Sequence, residues 1–118
     1  MDQEKLQYFT KRLLAEYDKI QRELGNYEQE ITDLNSPTVH EYEEKSTLEE
    51  QKEFITGLLN HDAEELVAIR DALQKIVNGT YGICERCGKP IEEERLEAIP
   101  TCRYCKKCKE ELEKEGLA

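Results

Sequence analysis

The sequence predicts a mainly α fold: an antiparallel helical hairpin of coiled-coil type, then a small four-cysteine finger, then a short C-terminal helix. Three observations carry this. Two long stretches repeat mostly apolar residues at steps of three and four, with one local irregularity in the first, the mark of helices that pair along a seam. One proline-containing break separates the two stretches, and all five cysteines fall after the second of them, between Cys84 and Cys108.

The first stretch covers residues 2–34. Its seam is Leu6, Phe9, Leu13, Tyr17, Ile20, Leu24, Tyr27, Ile31 and Leu34. No proline interrupts it, and Gly25 costs about 1 kcal/mol against alanine, which a long helix tolerates. At 1.5 Å per residue such a helix is roughly 50 Å long. Asn35-Ser36-Pro37 ends it, because proline disfavours helix in the residue before it. Thr38 with Glu41, and Ser46 with Glu49, both read as capping boxes, so the second helix starts between 38 and 47.

The second seam is Leu48, Lys52, Ile55, Leu59, Asp62, Leu66, Ile69, Leu73 and Ile76. Lys52 and Asp62 interrupt it with polar groups, which can fix register at a cost in stability. Lys52 can lay its methylene stem on the seam and keep its ammonium in water. Asn78-Gly79 is a helix stop. Two seams of similar length joined by a short turn predict self-pairing as a monomer, with a dimer through the same seams as the alternative. The expected domains are therefore residues 1–79, the hairpin with its tip near 35–47, and residues 80–118, the finger with its terminal helix.

Within the finger, Cys84 and Cys87 form one C-x-x-C and Cys105 and Cys108 a second, with seventeen residues between the pairs. That is the spacing of a four-cysteine zinc site, in which each pair wraps one edge of the metal. Tyr81, Ile83, Ile91, Leu96, Ile99 and Tyr104 are too few apolar side chains to order such a stretch by burial alone. Cys102 and Cys105 also make a C-x-x-C, so spacing permits either Cys84/Cys87/Cys105/Cys108 or Cys84/Cys87/Cys102/Cys105. Disulfides or free thiols are the competing reading. Zinc is favoured because no apolar N-terminal run suggests export or a membrane span, which predicts a reducing, cytoplasmic setting. Lys106 to Leu117 reads as a charged helix ended by Gly116. Lys106, Lys107 and Lys109 there partly offset the negative charge of a zinc–tetrathiolate.

Composition narrows the function. Charged residues make up 37%, mean hydropathy is −0.83 and there is no tryptophan, which leaves no large globular core. Of the net charge of −10, residues 1–79 carry −9 and residues 80–118 carry −1. Such a hairpin lacks the basic stripe that a nucleic-acid backbone requires, so direct nucleic-acid binding is not expected. Acidity peaks around the turn, where Glu28, Glu30, Asp33, Glu41, Glu43, Glu44, Glu49 and Glu50 face Lys45 alone. A charge run is commonly a solvated face, but carboxylates at the end of a long hairpin also suit a cation or a basic cavity on a partner. His40 and His61 sit at no ligand spacing and read as surface residues. No catalytic pairing, phosphate-binding glycine loop or open three-ligand metal site is visible, so a non-enzyme is predicted.

Residues 81–88 fit Y-G-x-C-x-x-C-G, followed by R-L-E-A at 95–98, P-T at 100–101 and C-x-x-C at 105–108. In order, spacing and flanking residues this stretch resembles the DksA/TraR family of bacterial zinc-finger proteins. The resemblance is close in the finger and architectural elsewhere. It implies one structural Zn²⁺ on Cys84, Cys87, Cys105 and Cys108, with Cys102 where the family commonly has a small non-ligand residue. It also implies binding to RNA polymerase, with the hairpin entering the secondary channel to regulate transcription. The family's tip motif, D-x-x-D-x-A, falls by spacing on Glu41, Glu44 and Ser46, which keeps the charges but not the residues. Two other functions compete: a redox- or zinc-responsive stress protein using Cys102 as a resolving thiol, and a helical adaptor that pairs through its seam.

Overall fold

The computed structural model describes the backbone of residues 1–34 and 45–116, and the side chains of all of these except 45–47. Helix α1 spans Gln3–Leu34, α2 Lys45–Asn78, α3 Glu93–Ala98 and α4 Lys106–Lys114. Helices α2 and α4 stop where the sequence leads one to expect. Gly79 takes φ 77° directly after α2 and Gly116 φ 74° after α4, left-handed conformations that glycine adopts without steric cost.

Both seams hold residue for residue. All nine seam positions of α1 and all nine of α2 are buried or half-buried, with Leu13 and Ile69 wholly inaccessible. Apolar residues off the seam are exposed instead: Leu14 is 52% exposed, Phe54 69% and Val77 80%. The 3.5-residue period therefore sorts these side chains better than hydrophobicity does.

The described residues form two compact units, 1–15 with 68–118, and 16–67. Helices α1 and α2 each contribute to both. In the second unit Glu30, Asp33 and Leu34 of α1 line a cavity with Gln51 and Ile55 of α2. Glu16, Lys19 and Glu23 line another with Asp62 and Glu65. The end of α1 thus lies beside the start of α2 and the middle of α1 beside the middle of α2, which is antiparallel pairing. Among the described residues of this unit, Leu48, Ile55 and Asp62 are buried.

The first unit joins the helix roots to the finger. Phe9 is buried with its ring centroid 5.6 Å from that of Tyr81, and Leu13, Ile69, Ala72, Ile91 and Leu96 complete its apolar core. The Tyr81 hydroxyl donates to the Pro100 carbonyl at 2.7 Å. Polar contacts follow the same seam: Lys5 pairs with Glu93, the Tyr8 hydroxyl donates to Glu97, and Arg12 donates to the Glu97 carbonyl at 2.7 Å. The 79/80 boundary expected from the sequence marks the end of α2, whereas the contacts group both helix roots with the finger. Phe9→Ala is accordingly expected to cost about 3–5 kcal/mol, from lost burial plus the cavity left behind. Thermal unfolding followed through the tyrosine signal would show it; an unchanged midpoint would mean the finger stands without α1.

Candidate metal centre

Two short backbone devices bring the cysteine pairs together. After α2 the chain turns through Gly82 at φ 80°, and the Ile91 N–H returns to the Gly82 carbonyl at 2.7 Å. Ile83 and Pro90 form an antiparallel bridge across this turn. Gly82 is required on two counts: its φ is left-handed, and a Cβ there would lie 2.9 Å from Met1 Cε and 3.4 Å from Leu96 Cδ1. Inside the turn, the Cys84 N–H donates to the Lys89 carbonyl at 2.8 Å and the Gly88 N–H to the Cys84 carbonyl at 3.0 Å. That folds Cys84 and Cys87 into one knuckle. The second pair is set by a helix start: Cys105 is the N-cap of α4, and Cys108 lies buried in its first turn.

Charged contacts tie the knuckles to their surroundings. Arg86 pairs with Glu115 at 2.9 Å, Arg103 with Asp71 at 3.0 Å, and Lys75 with Glu85. These are solvent-facing pairs, each worth little alone.

The Sγ atoms of Cys84, Cys87, Cys105 and Cys108 all lie within 4.8 Å of one another, and those of Cys87 and Cys105 are 3.8 Å apart. At a Zn–S distance of about 2.3 Å a tetrahedron has edges of roughly 3.8 Å, so the spacing fits a four-thiolate zinc site. Among the described residues no other group of three or more His, Cys, Asp or Glu side chains converges this way. No disulfide joins any of the five cysteines. Cys102 stands outside the group. Its Sγ receives the Arg95 Nε–H at 3.1 Å and donates to the Tyr104 carbonyl at 3.1 Å, while Arg95 Nε also reaches that carbonyl at 2.9 Å.

Cys84 and Cys108 are shifted in opposite directions. Burial pushes Cys84 up, but backbone N–H donors from Cys87, Cys105 and Arg86 outweigh it and bring Cys84 down to about 6. Cys108 goes the other way, to about 12, first through burial and then through hydrogen bonds with Cys105, Cys84 and Cys87. Thiols crowded this closely cannot all ionise until a cation neutralises them. Binding zinc therefore displaces a proton from Cys108 throughout the neutral range, and below about pH 6 from Cys84 as well. Protons compete with metal for the thiolates, so affinity falls as pH falls, and more steeply below about 6, where Cys84 also takes up a proton. Competition against a chromophoric chelator between pH 8 and 5 measures this; a flat profile would contradict it.

Of the tip residues, Glu41 and Glu44 lie outside the described residues, as does His40, and Ser46 lies in α2 with its side chain not described. Helix α3 has no counterpart in the sequence reading. A run of strong helix formers, Glu92 to Ala98, is the signal that could have found it.

The family model for the prokaryotic dksA/traR C4-type zinc finger matches residues 79–114. An uncharacterised protein of Aquifex aeolicus is 42% identical over 118 residues, covering 98% of this chain and 81% of its own length. The RNA polymerase-binding transcription factor DksA of Haemophilus influenzae is 32% identical over 115 residues, covering 92% of this chain and 74% of its own. The solved structure of transcription factor DksA2 from Pseudomonas aeruginosa superposes on the whole chain and on 90% of its own, with TM-score 0.89 and 30% identity. Four convergent thiols in this setting, with homology that runs past the finger into both long helices, establish that the chain belongs to the DksA/TraR family of C4-type zinc-finger proteins.

Proposed function

We propose that this protein binds RNA polymerase and regulates transcription, with the hairpin entering the secondary channel and Glu41 and Glu44 acting at its end. The likeness to DksA2 carries this reading, because it spans the hairpin and the finger together at 30% identity. The name of the Haemophilus influenzae relative supplies the partner. In this reading Cys84, Cys87, Cys105 and Cys108 hold one Zn²⁺ that fixes the finger against the helix roots. Four thiolates fill a zinc tetrahedron and leave no position for water or substrate, so the metal's part is structural and the protein is not an enzyme. The negative hairpin suits a protein partner rather than a phosphate backbone. No helix among the described residues is long and apolar enough to cross a membrane.

Co-purification from a bacterial lysate tests the reading. Tagged, zinc-loaded protein should retain the polymerase core subunits after nuclease treatment. Recovery of other proteins without polymerase would sink it.

A further inference from the structure

We propose that the unit formed by residues 16–67 carries a binding site for a linear di- or triamine, in the cavity that Asp62 lines between α1 and α2. The cavity, of about 270 Å³, lies just below the usual range of ligand pockets and well above the volume of one water. Asp62 is only 8% exposed, and its Oδ2 is buried with no hydrogen-bond partner among the described residues. A buried carboxylate oxygen left unpaired is rare and calls for a donor.

The surroundings select the donor's class. Glu16, Glu23 and Glu65 line the same cavity against one cation, Lys19, so the walls are net negative and repel anions. The field reaches Tyr27, whose phenol is pushed up first by burial and then by the charges of Asp62, Glu23 and Glu30. A point cation is a poor match, because these carboxylate oxygens do not converge within metal-ligand distance, as the four cysteines do. Dispersed carboxylates are better met by several ammonium groups on a flexible chain, each with its own N–H donors. Ile20, also in the wall, offers a surface for the methylenes between them.

Spermidine titrated into isotope-labelled, zinc-loaded protein at constant ionic strength tests this by NMR. Saturable shifts should cluster at residues 16–23 and 61–66, with Asp62→Asn weakening binding by about tenfold or more. Glu23→Gln should weaken it by about threefold, a second reading that survives if Asp62→Asn disturbs folding. Lys19→Met should tighten it by removing the resident like charge. Shifts spread over every acidic face, equal shifts with Mg²⁺, or unchanged affinity in both Asp62→Asn and Glu23→Gln would overturn the proposal. So would a double-mutant cycle showing that Lys19 itself is the partner of Asp62.

Discussion

Cys108→Ser should strip zinc from the protein and loosen the finger, whereas Cys102→Ser should leave zinc in place. The four converging thiols are Cys84, Cys87, Cys105 and Cys108. Structural zinc is worth about 10–16 kcal/mol in small fingers, so one of four ligands accounts for roughly 3 kcal/mol, or about a hundredfold in affinity. Cys84→Ser, Cys87→Ser and Cys105→Ser belong to the same class. Cys102 differs because its sulfur is engaged with Arg95 and Tyr104. Its loss removes two weak hydrogen bonds and no place in the cluster. Zinc content after dialysis against a mild chelator separates the variants. Zinc lost from Cys102→Ser and kept in Cys108→Ser would assign the metal to the other quartet.

The same variants probe how the finger is held. Phe9, Leu13, Ile69 and Ala72 share a unit with the cysteines. Metal loss should therefore be felt through Tyr81 by the helix roots, while residues 16–67 keep their helix.

How much of this was legible in the sequence depends on the range over which each signal acts. The seams were, because the coiled-coil period is local: Tyr17, Ile20 and Leu24 on one helix, and Leu59 and Leu73 on the other, fall on the covered side as spaced. The stop at Asn78-Gly79 and the helix start at the second cysteine pair were legible for the same reason. Helix α3 was not, since six residues are under two turns and show no periodicity. The choice between quartets was not legible from spacing, because Cys102 satisfies the same local rule as Cys108. The R-L-E-A and P-T matches decided it through resemblance, and the fold supplies a reason in the Arg95 contact. The grouping of helix roots with the finger was hidden too, since Phe9 meets Tyr81 and Arg12 meets Glu97 across some 70 to 85 residues of chain. Asp62 was read as a polar break in a seam; only the fold places it buried beside three glutamates.

The second large effect is expected at the tip. Glu41→Ala with Glu44→Ala should leave folding, zinc content and polymerase affinity nearly intact and abolish the effect on transcription. Surface carboxylates contribute about 0–1 kcal/mol to stability, so their loss should barely move the unfolding midpoint. Affinity should come from the larger surfaces of the finger and the hairpin flanks. In the proposed reading the tip would deliver negative charge to a confined site, where a charge counts for more than in bulk water. Glutamate reaches one methylene further than the aspartate of the family motif, so Glu41→Asp with Glu44→Asp should retain regulation. If the alanine pair regulates as well as the unaltered protein, these carboxylates are a solvated turn and nothing more.

The most direct measurement is a titration of purified RNA polymerase with the zinc-loaded protein, read by binding and by run-off transcription in the same samples. The account predicts saturable one-to-one binding, with transcription changing in step as the complex fills. It also predicts that Glu41→Ala with Glu44→Ala binds equally well and changes nothing. Absence of binding at micromolar concentrations, or regulation without a complex, would contradict it.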